Sequence, residues 1–139
     1  SYRSEFRYGS FSRTIPLRAD VKESDITASY KDGVLEIEPL GVTISGRAAF
    51  VAFKQRDLEG RGGKYRRHWN GSLYLERVDA ATVRGRCYLQ AFNGTPGQLP
   101  VLSDCGVYED TLVRVGGAWK FARRRLTMDG GTWSAPSSR

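Results

Sequence analysis

Hydrophobic and polar residues alternate along most of the chain with the two-residue period that is typical of β-strands. The alternation and the β-forming residues predict strands at 5–17, 26–30, 34–38, 65–78, 82–92, 101–115 and 118–128. Asp32-Gly33, between the second and third of these segments, is a strong hairpin signal. Gly116-Gly117 predicts another hairpin turn between the last two strands.

Residues 46–59 form the one segment with a convincing helical pattern. Ser45 is positioned to cap its first turn, and Gly60 is a natural C-terminal stop. One face of this helix carries residues at helical spacing, Ala49, Phe50, Phe53 and Asp57. One helix followed by long antiparallel strands predicts an α+β fold with a curved antiparallel sheet.

Composition restricts the function classes. A chain of 139 residues that is 40% hydrophobic and 27% charged fits one globular domain rather than a disordered segment. No apolar run approaches the ~20 residues that span a bilayer, and no secretory signal is visible, so we expect a cytoplasmic protein without membrane contact. With two cysteines, one histidine and no Cys-x-x-Cys, we expect free thiols, no disulfide scaffold and no metal site.

The charge is unevenly spread along the chain. Residues 1–40 carry six Lys/Arg and seven Asp/Glu, whereas residues 41–139 carry sixteen and eight. The basic excess and Arg123-Arg124-Arg125 raise the possibility of a nucleic-acid partner. Strand alternation, however, sends Arg124 to the face opposite its two neighbours, which halves the basic surface. We therefore do not expect nucleic-acid binding and favour solvated strand edges with cross-strand ion pairs.

His68 is the candidate for acid–base chemistry, because an imidazole titrates near neutrality. Regular alternation would place Asn70, Ser72 and Tyr74 on its face of the strand, and Trp69, Leu73 and Leu75 on the other. Such a polar face could line a pocket, but a surface histidine beside Arg66 and Arg67 is the other interpretation. Possible partners on the later strands are Tyr88, Asp104, Tyr108, Glu109 and Asp110.

Residues 41–129 resemble a SnoaL-like domain of the nuclear-transport-factor-like cone superfamily. The resemblance rests on the segments 46–50 (GRAAF), 67–70 (RHWN), 106–114 (GVYEDTLVR) and 117–124 (GAWKFARR), with Asp129. It implies a cone-like sheet, a helix in its concave face and a pocket between them. It also implies dehydratase, cyclase or isomerase chemistry without metal or cofactor.

Specific residues follow from that resemblance. His68 falls on the family histidine and would act as the base, with Tyr74 and Tyr88 orienting the substrate. We expect Trp69, Asn70, Phe50 and Phe53 to contact a small hydrophobic ligand. The helices that normally supply the catalytic aspartate and tyrosine are missing, so we expect weak activity at most.

Residues 2–39 are similar to the last part of the α-crystallin domain of small heat shock proteins. The motifs are 6–17 (FRYGSFSRTIPL) and 28–35 (ASYKDGVL), followed by Pro39. That family consists of ATP-independent holdases, so a non-enzymatic, chaperone-like binding module is the alternative function.

Together the two resemblances predict a fusion, natural or engineered, with a junction near Pro39-Leu40. The predicted units are 1–40, 41–129 and a flexible tail at 130–139. The front segment, as a β-hairpin, would join the truncated cone or lie beside it. Alternatively, a second copy would cover the open face, giving a homodimer or higher oligomer.

Overall fold

The computed structural model describes residues 33–133, and all structural statements concern that range. Within it, the elements are β1 (Val34–Glu38), β2 (Val42–Ser45), α1 (Arg47–Glu59), β3 (Tyr65–Arg77), β4 (Thr82–Gly94), β5 (Val101–Val115) and β6 (Ala118–Gly131). The helix, the short strand at 34–38 and the long strands predicted from alternation are confirmed. The strands predicted at 5–17 and 26–30 lie outside the described residues.

The described strands form one sheet in the order β2-β1-β6-β5-β4-β3. β1 runs parallel to β6, and every other neighbouring pair is antiparallel. The sheet is therefore mixed rather than purely antiparallel, because β1 enters it beside the last strand of the chain. It is open and curled, which confirms the predicted α+β class with a strongly curved sheet.

The first strand is an integral part of this sheet. It pairs with β2 from Val34 opposite Ser45 to Ile37 opposite Val42, and the predicted junction at Pro39-Leu40 falls in the turn between the two strands. Ile37 is only 4% exposed and lies in the core. The expectation that the front segment joins the sheet is therefore confirmed for residues 34–38, and the division of the chain into units near residue 40 stays a prediction.

Helix α1 covers the concave face of the sheet through Phe53, which is 5% exposed. The helix begins at Arg47, and Gly46 precedes it with a φ of 78° that glycine adopts at no steric cost. Ser45 belongs to β2 and makes no capping hydrogen bond, so the predicted cap is wrong. The core around Phe53 contains Leu35, Ile37, Ile44, Cys87, Leu89, Tyr108 and Leu126.

Strand β3 contains an irregularity that reorients its second half. Its register with β4 shifts between Gly71 and Tyr74. Before the shift, His68 lies opposite Ala91, and after it Tyr74 lies opposite Arg86. These two β4 positions are an odd number of residues apart, so their side chains point to opposite faces of the sheet. Tyr74 and His68 therefore lie on opposite faces, and the expectation of a shared face is wrong.

Candidate functional site

The concave face holds a cavity of about 60 Å³ between α1, the sheet and the end of β6. Its apolar wall includes Phe53 and Trp133, whose rings meet edge to face with centroids 6.1 Å apart. Polar and charged side chains occupy the rest of the lining. They are Lys54, Asp57, Arg66, His68, Asp104 and Tyr108.

Asp104 organises one side of the cavity. It is 2% exposed and accepts hydrogen bonds from the backbone N–H groups of Thr132 and Trp133, at 2.8 and 2.9 Å. The Ser103 hydroxyl donates to its other oxygen at 2.9 Å. Nη2 of Arg66 donates to that same oxygen at 2.6 Å. A buried carboxylate with this many donors is satisfied and holds the chain after β6 against β5.

The charge state of Asp104 follows from these contacts. Burial alone raises the pKa of a carboxyl group, but the hydrogen bonds from Trp133 and Ser103 and the charge of Arg66 outweigh it. The net effect is a pKa for Asp104 below its ordinary value. Asp104 is thus a stable anion that positions Arg66 and has no proton to give at neutral pH.

Arg66 in turn fixes the state of His68. Nε of Arg66 donates to Nε2 of His68 at 3.0 Å, so the imidazole is neutral and carries its proton on Nδ1. Partial burial of the ring, together with the positive charges of Arg66 and Lys54, lowers the pKa of His68 to about 4. His68 keeps part of its surface exposed, so the positive charges of Arg66 and Lys54 contribute to its lowered pKa in addition to burial. In this state Nε2, the nitrogen that could take up a proton, already accepts the hydrogen bond from Arg66.

Lys54 and Asp57 form the helix side of the cavity. Nζ of Lys54 lies 5.6 Å from the ring centroids of both Phe50 and Phe53. Burial lowers the pKa of Lys54, against the opposing effect of the Asp57 carboxylate. Within residues 33–133, Lys54 makes no ion pair of its own.

Asp57 has two partners. Nε1 of Trp133 donates to its Oδ1 at 3.0 Å, and Arg61 one turn later forms an ion pair with its Oδ2. Burial raises the pKa of Asp57, but the bonds from Arg61 and Trp133 leave it below its ordinary value. Among the charged lining residues, Lys54 is therefore the one that forms no hydrogen bond or ion pair within residues 33–133.

The structure separates the residues that the sequence suggested for the site. His68 and Phe53 line the cavity, Phe50 packs beside it on α1, and Asn70 shares the face of His68 on an exposed part of β3. Tyr74 and Tyr88 lie on the opposite face, with 58% and 50% of their surfaces exposed.

Trp69 also points away from the cavity. It lies opposite Gln90, is 68% exposed and packs edge to face against Phe92. The structure therefore does not bring Tyr74, Tyr88 or Trp69 to His68. Of the possible partners suggested for His68, Asp104 and Tyr108 do reach the cavity.

Sequence reasoning did not single out Lys54, Arg66 or Trp133 as lining residues. Trp133 stands in the stretch expected to be a flexible tail from residue 130, but β6 continues through Gly131. The hydrogen bonds of Thr132 and Trp133 to Asp104 hold the next two residues. A tryptophan after a strand was the available signal, since large aromatic residues are rarely left without packing partners. Residues 134–139 lie outside the described range.

The arginine-rich strand behaves as predicted. Arg124 points to the concave side and forms a bidentate pair with Asp110, at 2.7 and 2.8 Å, whereas Arg123 and Arg125 point outward to Glu36. Cys87 and Cys105 are both free. Across the described chain, no three His, Cys, Asp or Glu side chains come together as metal ligands. The helix in this range is too short and polar to cross a membrane.

Two family models match the chain. The model described as SnoaL-like domain matches residues 28–125, and the model of the Hsp20/alpha crystallin family matches residues 1–47. Small heat shock protein C4 of Rickettsia felis is 49% identical over 37 residues, which are 27% of this chain and 23% of that protein. The chain thus spans about a quarter of that relative.

Solved structures share the fold. A single-substitution variant of Rv3472, a protein of unknown function from Mycobacterium tuberculosis, is 27% identical with a TM-score of 0.62, covering 76% of this chain and 57% of that one. A hexachlorocyclohexane dehydrochlorinase, LinA Type2, is 25% identical with a TM-score of 0.61, covering 76% and 70%. Since the SnoaL-like model spans well over half of the sequence, the chain belongs to the SnoaL-like domain family.

Proposed function

We propose that the concave cavity binds a small, largely apolar molecule that carries one hydrogen-bond acceptor or anionic group. The observation that supports this is an apolar cavity whose carboxylates, Asp57 and Asp104, already have cationic partners, while Lys54 has none within residues 33–133. A ligand acceptor facing Lys54 would gain a charge-assisted hydrogen bond in partly desolvated surroundings.

The size of the cavity limits the ligand. Pockets for drug-sized molecules enclose roughly 300–1,000 Å³, whereas this cavity offers about 60 Å³. It therefore suits a molecule of a few heavy atoms, or a part of a larger one that extends past Trp133.

The chemistry that fits the lining is proton transfer at carbon without a cofactor, and it would be slow. In an elimination, a base takes a proton from the carbon next to a carbonyl group, the C–H electron pair forms a double bond, and the leaving group departs with its own pair. His68 would be that base only after Nε2 loses the hydrogen bond from Arg66, and a pKa of about 4 makes it a weak one. LinA Type2, a structural relative, is named for a dehydrochlorination, which is an elimination of hydrogen chloride.

Binding can be tested with propionate and butanone, two probes of the same heavy-atom count that differ in charge. We expect both to shift the NMR signals of Phe53, His68 and Trp133. Lys54→Met should weaken propionate binding about tenfold or more through the lost charge-assisted bond, with a smaller effect on butanone. Lys64→Met, an exposed lysine after the helix, is the matched control. Absence of binding by both probes would contradict the proposal.

Catalysis needs a separate test. A β-chloroketone should lose chloride faster with the protein than with buffer, and His68→Ala should remove the difference. If His68→Ala retains the full rate, His68 is not the base.

A second candidate is an ATP-independent holdase, which the match of residues 1–47 to the Hsp20/alpha crystallin family favours. The experiment is light scattering from heat-denatured citrate synthase with and without equimolar protein, in the absence of ATP. Suppressed scattering supports this function, and unchanged scattering rejects it.

A further inference from the structure

One lysine side chain belongs to the lining of the concave cavity. Lys54 lies on α1, next to Phe53 and one turn after Phe50, and its Nζ is 5.6 Å from both ring centroids. The two rings therefore displace water from one side of the amine. Lys54 lines the cavity together with His68 and keeps part of its own surface exposed. A molecule that enters the cavity from solvent can thus reach the amine.

The carboxylates of the same lining have other partners. Asp57 forms an ion pair with Arg61, and Asp104 forms one with Arg66. Within residues 33–133, the Lys54 amine itself forms no hydrogen bond or ion pair. Its nitrogen is therefore not held in the charged form by a direct carboxylate contact, which is how a lysine on a protein surface is most simply stabilised as an ammonium ion.

The surroundings of Lys54 favour the neutral amine. Burial lowers the pKa of Lys54, against the opposing effect of the Asp57 carboxylate. Three nearby guanidinium groups, those of Arg61, Arg66 and Arg124, lower the pKa further. A lysine attacks carbon only through its neutral form, and desolvation beside other cations is the usual way in which a protein provides that form.

We propose that Lys54 forms an imine with its ligand, and that the ligands of the cavity are small aldehydes and ketones. This inference rests on the proposed function, whose hydrogen-bond acceptor it identifies as a carbonyl oxygen. The lone pair of Nζ attacks the carbonyl carbon, the C=O π pair moves to the oxygen, and that oxygen leaves as water after protonation. A C=N⁺ iminium remains. Counted from the ammonium form of Lys54, reactants and products both carry one positive charge, so no further reagent is needed.

An iminium makes a weak base sufficient for the elimination described above. The C=N⁺ group withdraws electrons from the neighbouring C–H bond more strongly than a carbonyl group, so that proton is more acidic. His68, whose pKa is about 4, takes it once Nε2 has left Arg66, and the C–H electron pair forms the C=C bond of an enamine. The nitrogen lone pair then restores C=N⁺ as chloride departs with its bonding pair. Water releases the unsaturated ketone and regenerates the Lys54 amine.

Reduction traps the imine and shows where it forms. The full chain is incubated with butanone and sodium cyanoborohydride at pH 7, and the alkylated lysines are located by peptide mass mapping. We expect Lys54 to react at least about tenfold faster than the exposed Lys64, since its lowered pKa leaves more neutral amine. The difference should shrink near pH 11, where both amines are largely neutral.

Lys54→Arg separates the covalent step from the charge contact of the proposed function. Arginine keeps the positive charge but stays protonated and forms no imine, so the variant should still bind propionate while trapping at position 54 disappears. Chloride release from a β-chloroketone should fall to the rate of His68→Ala. Lys64→Arg is the matched control and should retain binding, trapping at Lys54 and the full rate of chloride release.

Two results would overturn the proposal. They are alkylation of Lys54 that is no faster than that of Lys64, and a Lys54→Arg variant that releases chloride at the full rate. If either result appears while Lys54→Met still weakens propionate binding, only the covalent step is wrong and the binding site of the proposed function stands. If neither propionate nor butanone binds the natural chain, the site itself is wrong.

Discussion

Arg66 donates a hydrogen bond from Nε to Nε2 of His68, at 3.0 Å, and so holds the imidazole as a neutral ring. The same guanidinium is held by the buried carboxylate of Asp104. The acid–base character of the cavity is therefore set by a chain of contacts from Asp104 through Arg66 to His68. The contacts of Asp104 and of His68 with Arg66 can be tested separately.

The ionisation of His68 gives a direct test, because the chain has one histidine. With a folded-state pKa of about 4 and an unperturbed pKa of 6.5, the unfolded chain binds the proton first as the pH falls. The contribution of His68 to stability is therefore fully present above pH 6.5 and is lost between pH 6.5 and about 4. Titration of its ring signals by NMR should show no protonation at pH 6.

The matching stability measurement uses His68→Gln, which should flatten the pH dependence of the free energy of unfolding in that window. A pKa near 6.5 for the His68 imidazole would show that Arg66 does not keep the ring neutral.

Removing the Asp104 carboxylate should destabilise the protein strongly. Asp104→Ala leaves Arg66 without its partner and frees the donors on Thr132 and Trp133. Breaking a buried pair of this kind costs about 3–5 kcal/mol, which urea unfolding would measure. Glu109→Ala removes an exposed carboxylate from the same strand and should cost far less. Equal losses for the two variants would contradict the role given to Asp104.

A close approach between strands makes Gly106 sensitive to substitution. A Cβ there would lie 2.6 Å from the backbone oxygen of Thr127, whereas a Cβ at Gly130 meets nothing within 4 Å. We expect Gly106→Ala to lower the free energy of unfolding by about 1–3 kcal/mol and Gly130→Ala to change it little. A well-tolerated Gly106→Ala would mean that the pairing of β5 with β6 is looser than described.

The bulge in β3 predicts which tyrosines matter for the cavity. Tyr74→Phe and Tyr88→Phe alter the face of the sheet opposite α1 and should leave propionate binding unchanged. Phe53→Ala removes a wall of the cavity and should reduce binding, provided that circular dichroism shows a folded protein. If either tyrosine variant binds propionate more weakly, the ligand contacts the face opposite α1, which contradicts the prediction.

The sequence predicted the helix and the long strands well because their signals are local. Alternation over a dozen residues in β4 and β5, and the breaks at Gly60 and Gly116-Gly117, require no knowledge of distant contacts. The opposite orientations of Arg124 and its neighbours followed from the same rule.

The site was harder to predict, since it depends on pairings between distant segments. One extra residue near Ser72, whose φ is 54°, reversed the orientation of Tyr74, and no hydrophobic pattern marks that position. The parallel pairing of β1 with β6 and the contact of Trp133 with Asp57 join residues far apart in sequence. Neither has a local signature.

The central claim is that the two faces of the sheet have different roles, with ligand contacts confined to the concave face. The most direct measurement is a propionate titration followed by NMR on the full chain with assigned side-chain signals. The account predicts saturable shifts at Phe53, His68 and the indole N–H of Trp133, and none at Tyr74 or Tyr88. Shifts at the two tyrosines, or no saturable shift at the three cavity residues, would contradict it.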